Sequence, residues 1–205
     1  MLRSPPHRWR PHVASLARVD AVLYTDLNCP FCYATETRLE ALGVQDRVEW
    51  RGVEHEPDLP VPMMVDDLDL NEEVADEVAQ VRARAPEVAI APPAGKPNTA
   101  HAILAAVAAA RVDTERARSF RHAIYRAFWV DGADVSLPDV LETLAREHGL
   151  PALEPLPEDD LRVTNWRLDW ERSPLRGVPL LVRADGEVLY GLKDGEVLAR
   201  FMGVG

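Results

Sequence analysis

The chain has 205 residues, 47% of them apolar and 28% charged, with only two cysteines and a formal net charge of -11. A chain of about this length buries roughly 70% of its unfolded surface, so a core forms without disulfide scaffolding. The acidic balance repels a phosphate backbone and an anionic membrane surface alike, which makes nucleic acid and membrane unexpected partners.

Met1 to Asp20 is polar, prolyl and basic (Arg3, Arg8, Arg10) and holds no apolar run of signal-peptide length, so 1–18 reads as an N-terminal extension and the protein as cytoplasmic. Nothing along the chain approaches the roughly eighteen apolar residues of a membrane span. Ala21 to Asp26 is β-prone and runs to Asn28, a favoured N-cap residue, after which Pro30 stands where a helix best tolerates proline. This predicts a strand entering a helix that closes at Gly43. The alternation in Arg47 to Val53 predicts a second strand, completing β-α-β.

Three prolines between Pro57 and Pro62 interrupt regular structure. Helical periodicity then predicts Asn71–Arg84, Asn98–Arg111, Thr114–Trp129, Ser136–His148 and Glu158–Glu171, with Ser136 as a cap and Asp139 as a first-turn acid. No repeat relates these segments. Val178–Val182, the Asp185-Gly186 turn and Glu187–Tyr190 predict a β-hairpin, and Glu196–Met202 a last helix.

The chemistry is concentrated at Cys29 and Cys32, spaced C-x-x-C where strand meets helix. A helix N-terminus offers unpaired N–H groups and a positive partial charge, which draw a thiol pKa from ~8.5 into the range ~3.5–7.5. Cys29 at an exposed helix start is therefore the expected attacking thiolate. Cys32, one turn later, is the expected resolving thiol. Two other readings stand beside redox chemistry: inert buried thiols, and a zinc site. Zinc needs four ligands and there is no second cysteine pair, so His55 or His101 would have to complete the set.

Far downstream, Gly177-Val178-Pro179 precedes a returning strand, a position where a proline opens a strand and turns its backbone to a partner. Asp26 reads first as a strand-end turn or capping group and second as an influence on proton traffic at Cys29. His55, just after the second strand, reads first as a solvated loop histidine and second as a group that approaches the site. Trp129, Trp166 and Trp170 fall on helix faces as core or groove-lining positions. The acidic run Asp66, Asp67, Asp69, Glu72 and Glu73 reads as a solvated helix entrance, and no metal site is expected. The only lysines, Lys96 and Lys193, lie far from the cysteines in sequence.

Taken together, the strand into Asp26-Leu27-Asn28-Cys29-Pro30-Phe31-Cys32-Tyr33, the segment Glu54-His55-Glu56-Pro57-Asp58-Leu59-Pro60, the entry Lys96-Pro97-Asn98-Thr99 to an Ala-rich helix, and Gly177-Val178-Pro179 resemble the thioredoxin-fold DsbA family. The resemblance is to its FrnE-like branch, which includes relatives of 2-hydroxychromene-2-carboxylate isomerase. It implies an α/β protein whose thioredoxin-like core (19–62 and 174–205) is interrupted by a large all-helical insertion (63–173). It also implies thiol-disulfide exchange at Cys29 and Cys32 with a cis Val178-Pro179 bond positioning the substrate sulfur, and with Pro30, Phe31 and Asp26 tuning the pair. The substrates would be protein or low-molecular-weight thiols and disulfides. No cofactor is implied beyond the Cys29–Cys32 disulfide, with glutathione as a candidate co-substrate. The dipeptide Pro30-Phe31 lacks the histidine of strongly oxidising relatives. The runner-up within enzymes is a glutathione-dependent isomerase or transferase acting on a small apolar electrophile, and the rival from a different class is a redox-sensing, holdase-like binding protein.

Overall fold

A computed structural model describes residues 19–204, so the expected extension 1–18, with Arg3, Arg8 and Arg10, lies outside the described residues. The first strand, β1 (Ala21–Thr25), is buried along its whole length because it is a central strand. It lies parallel to β2 (Val48–Gly52) and antiparallel to β3 (Leu180–Arg183), which in turn pairs antiparallel with β4 (Val188–Tyr190), giving the order β2-β1-β3-β4. Parallel neighbours need a crossover, and α1 (Pro30–Ala41) supplies it.

Side chains alternate across the sheet as the strand period requires. Ala21 and Leu23 pack with Leu181 on the face covered by Leu39 of α1 and by Leu198 and Phe201 of the final helix, α7 (Gly195–Phe201). Val22 and Tyr24 join Leu180 and Val182 on the other face. The register makes these faces continuous, with Leu23 opposite Leu181 and Val22 opposite Val182. β3 starts two residues later than the alternation suggests. Pro179 has no N–H for the ladder, and its carbonyl instead accepts from the Gly191 N–H at 2.9 Å. The hairpin turn is closed by Gly186, whose φ of 89° is in the left-handed range that glycine adopts freely.

Between β2 and β3 the described chain forms five helices: α2 (Leu68–Arg84), α3 (Ala100–Val112), α4 (Thr114–Trp129), α5 (Pro138–Glu147) and α6 (Pro157–Glu171). The α2 start precedes the predicted one because Asp67 caps it, accepting from the Leu70 N–H at 3.1 Å. Ser136 is not the cap of α5. That position falls to Leu137, with Pro138 opening the helix, while the Ser136 hydroxyl donates to Asp134 at 2.6 Å.

The apolar packing crosses the expected boundary between core and insertion. Leu27, Cys32 and Tyr33 share one buried cluster with Val74 and Val78 of α2, Ile103 of α3, and Phe120, Ile124 and Trp129 of α4. At roughly 1.5–3 kcal/mol for each large side chain buried, this shared cluster ties the start of α1 to the helices.

Candidate active site

Cys29 occupies the N-cap position of α1, with extended φ -101° and ψ 117°, and Pro30 follows at the first helical position. The expected cap, Asn28, is fully buried and turned away, donating through Nδ2 to the Pro97 carbonyl at 2.9 Å. No carboxylate stands in the first turn of α1, and no side chain caps it. The positive end of the helix is therefore presented to the sulfur that sits there. Cys29 is only 5% exposed rather than at an open helix end, and its thiol donates to the Val178 carbonyl at 3.9 Å. The Val178-Pro179 bond is cis, with Pro179 buried. Cys32 is fully buried, and its sulfur accepts from the Asp26 N–H at 3.5 Å.

The two thiols are electrostatically unequal. Burial raises the pKa of Cys29, but the hydrogen bond from Cys32 and then the charge of His55 outweigh it, so the thiol is held below its ordinary value. For Cys32, burial and then the neighbouring Cys29 act in one direction and push its pKa well above the ordinary thiol value. Attack at Cys29 and resolution by Cys32 is the order this asymmetry supports.

Asp26 is not a turn or capping group, and His55 is not a solvated loop histidine. Asp26 is completely buried. Its Oδ1 accepts from the Thr99 hydroxyl at 2.6 Å, and its Oδ2 accepts from both the His55 backbone N–H at 2.9 Å and the His55 ring Nδ1 at 2.7 Å. The other ring nitrogen, Nε2, lies 3.1 Å from Glu56 Oε1, which also receives Lys96 Nζ at 2.6 Å. Lys96, distant in sequence, is buried beside the site. Burial opposes the charged imidazole, yet the hydrogen bonds to Asp26 and Glu56 hold His55 protonated up to about 10. The bond from His55, against burial and aided by Lys96, keeps the Glu56 carboxyl down at about 2.

These shifts predict a stability optimum. A raised histidine pKa contributes stability that is complete below about 6.5 and is lost as pH climbs through about 10. The lowered Glu56 contributes stability that is complete above about 4.5 and is lost as pH falls through about 2. Urea midpoints of a Cys29→Ser/Cys32→Ser protein, which lacks thiol titration, should be highest between about pH 4.5 and 6.5 and should decline steadily from about 6.5 to 10. The alkaline decline should flatten in the same background carrying His55→Leu. A decline unchanged by that substitution would contradict the pairing.

Phe31 is half-buried against the apolar cluster and brings no charge to the sulfurs. Trp129 is wholly buried, and its Nε1–H donates to the Leu27 carbonyl at 3.1 Å, bracing the loop that carries Asn28 and Cys29. Trp166 and Trp170 pack on the opposite sheet face, and Trp170 Nε1–H donates to the Gly177 carbonyl at 3.1 Å. Gly177 lets the Tyr190 ring lie close against the backbone there, since a Cβ at that position would force the exposed ring to move aside. His101 faces the Ser136 carbonyl at 3.1 Å and His55 is taken by two carboxylates, so neither histidine joins the cysteines in a metal set. Among the described residues no group of three or more His, Cys, Asp or Glu is arranged to hold a metal ion.

Sequence reasoning missed the roles of Lys96 and Thr99. They sit within the Lys96-Pro97-Asn98-Thr99 segment, one of those that carry the family resemblance, but their partners lie 40 and 73 positions away.

Comparison with known proteins gives the same fold. Among solved structures, a Streptomyces coelicolor protein called a probable DsbA oxidoreductase is 21% identical, with 89% of this chain and 87% of that one covered and a TM-score of 0.65. The cytosolic disulfide reductase DsbM of Pseudomonas aeruginosa is 19% identical over 89% of this chain and 91% of its own, with a TM-score of 0.65. A 2-hydroxychromene-2-carboxylate isomerase is 17% identical over 89% and 94%, also at a TM-score of 0.65. No curated protein matches the sequence. Among the described residues no helix is long and apolar enough to cross a membrane. The family model of the DSBA-like thioredoxin domain matches residues 21–203, which takes in β1 and α7 and every element between them, and the chain belongs to that family.

Proposed function

We propose that the protein is a thiol-disulfide oxidoreductase acting through Cys29 and Cys32, with Val178 and Pro179 positioning the substrate sulfur. The observation that carries this reading is the inequality of the two buried thiols. One is at a helix start with a lowered pKa and sits against the Val178 carbonyl, and the other is buried beneath it with a raised pKa.

In the reducing direction the Cys29 thiolate attacks one sulfur of a substrate disulfide, forming a mixed disulfide and releasing the other sulfur as a thiolate. Cys32 then loses its proton and attacks Cys29 Sγ. The Cys29–Cys32 disulfide forms, the second substrate sulfur leaves, and the Cys32 proton ends on the released thiolate. Two electrons have passed to the substrate, and the same steps reversed oxidise a dithiol.

Protein or low-molecular-weight disulfides are the substrates this chemistry suits, with glutathione a co-substrate and Asp26, Pro30 and Phe31 around the reacting pair. The proposed compartment is the cytoplasm, where the similarly folded DsbM is described as a cytosolic disulfide reductase. Catalysed reduction of insulin disulfides by dithiothreitol, followed by precipitation of the freed chains, tests the reading. The wild-type protein should accelerate precipitation at least about tenfold, and a Cys29→Ser/Cys32→Ser protein should not. Equal rates with and without the wild-type protein would overturn the reading. A reaction with glutathione that survives loss of Cys32 would replace it with the isomerase or transferase alternative, which the like fold of the chromene-carboxylate isomerase favours.

A further inference from the structure

We propose that His55 is the positioning residue that sets the stability of the Cys29 thiolate, a fixed cation delivered from the loop after β2 in place of the charge that Pro30-Phe31 lacks. The inference rests on the oxidoreductase reading and assigns the origin of its redox poise.

The geometry requires the charge. The Nδ1 and Nε2 atoms of His55 face Asp26 Oδ2 at 2.7 Å and Glu56 Oε1 at 3.1 Å. A neutral imidazole carries one N–H, so one of these contacts would set a lone pair against a carboxylate oxygen. Only the imidazolium donates to both. The ring is also locked in place. Its own backbone N–H holds Asp26 Oδ2, Asp26 is held by the Thr99 hydroxyl, and Glu56 is held by the buried Lys96 ammonium. Along Asp26, His55, Glu56 and Lys96 the charges alternate and sum to zero, which is how four ionic groups share a largely buried site without a ruinous desolvation cost.

Asp26, which holds the ring at 2.7 Å, also takes the Cys29 backbone N–H on its carbonyl at 3.2 Å and gives its own N–H to Cys32 Sγ at 3.5 Å, so the network is joined to the cysteine pair. The His55 imidazolium favours the Cys29 thiolate, while Glu77 of α2 opposes. Glu54, next along the loop, is half-buried and its carboxyl is raised by that burial and by Asp26. The groups in contact with His55 are thus Asp26 from the β1–α1 turn and Glu56 on its own loop, with the Lys96 ammonium on Glu56, while Cys29 at the start of α1 and Glu77 of α2 act on it through their charges.

A thiolate feels the imidazolium and a disulfide, which carries no charge, does not. His55 therefore stabilises the reduced protein and makes the Cys29–Cys32 disulfide a stronger oxidant than its apolar dipeptide alone would. Because both carboxylates hold the ring charged well beyond neutrality, His55 acts as a constant field across pH 5–8. The potential should then show no inflection from histidine titration near 6.5.

Two independent readouts test this: thiolate absorbance at 240 nm against pH, and the equilibrium of the cysteine pair with reduced and oxidised glutathione. In His55→Leu the Cys29 pKa should rise by about one unit and the equilibrium should shift about tenfold toward the protein disulfide, or about 30 mV for a two-electron couple. His55→Lys should recover most of both. Since His55→Leu strands the buried Asp26 carboxylate and can unfold the chain, Asp26→Asn/His55→Leu, which keeps an acceptor for Thr99, is compared with Asp26→Asn alone, and the added His55→Leu should produce the same shifts within that pair. Folded His55→Leu variants whose Cys29 pKa and glutathione equilibrium stay within twofold of their reference, wild type or Asp26→Asn, would overturn the proposal. If the wild-type cysteines do not equilibrate with glutathione, the oxidoreductase reading falls, and the thiolate titration still decides whether His55 governs Cys29.

Discussion

Cys29→Ser is expected to abolish disulfide exchange to the uncatalysed background, a drop on the order of 10³-fold or more given the accelerations enzymes supply. Cys32→Ser is expected to stop turnover at the half-way point, with the substrate captured on Cys29. The difference follows from the environments of the sulfurs. Cys29 lies at the positive end of α1, hydrogen-bonded by Cys32 and within the field of His55, so a thiolate forms there. Cys32 is completely buried, and its pKa is raised well above the ordinary thiol value, so it is a poor first nucleophile and becomes reactive only when the Cys29 sulfur is already bonded to substrate beside it. With insulin or oxidised glutathione as substrate, mass spectrometry of the alkylated Cys32→Ser protein should show one adduct, on Cys29, while Cys29→Ser should show none. Equal adducts on both variants would remove the assigned order, and an adduct on Cys29→Ser alone would invert it.

The element order was legible because several boundaries carried a local physical signal: Pro30 at a helix start, Gly43 beyond its end, and Asp185-Gly186 between two β-prone runs. The cysteine pair and the Val178-Pro179 strand entry were legible for the same reason, as short motifs whose chemistry depends on neighbours in sequence. The environment of the pair was not. Asp26 looked first like a turn residue because a carboxylate at a strand end has that use more often. Nothing near it in sequence announces that Thr99 and His55 arrive from other elements to consume its lone pairs. His55 and Lys96 were misjudged by the same local logic, since a histidine or lysine in a proline-flanked loop is ordinarily solvated, and only the tertiary fold brings Asp26 to His55 and Lys96 to the neighbouring Glu56. The shift of the N-cap from Asn28 to Cys29 has a similar origin. The Asn28 amide is drawn to the Pro97 carbonyl, a tertiary contact that outcompetes local capping.

Trp129→Ala should be among the most damaging single substitutions outside the cysteines, costing about 3–5 kcal/mol, a large share of the 5–15 kcal/mol that typically separates a folded domain from its unfolded chain. The indole is fully buried in the cluster that joins the core to the insertion, packs against Phe128 at 4.5 Å between ring centroids, and donates to the Leu27 carbonyl. Truncation leaves a cavity lined by rigid helix and an unpaired carbonyl in the loop immediately before Asn28 and Cys29. Trp129→Phe separates the two contributions: it keeps most of the volume but loses the hydrogen bond, and should cost about 1–3 kcal/mol. Because Leu27 sits two residues from the reacting sulfur, the Phe variant should also loosen the N-terminus of α1. The expected result is a lower urea midpoint for both variants with Ala well below Phe, and in the folded Phe variant faster hydrogen exchange at the Cys29 to Tyr33 amides than in wild type. Equal midpoints for Phe and wild type, with unchanged exchange at those amides, would show that the Leu27 hydrogen bond does not brace the cysteine loop.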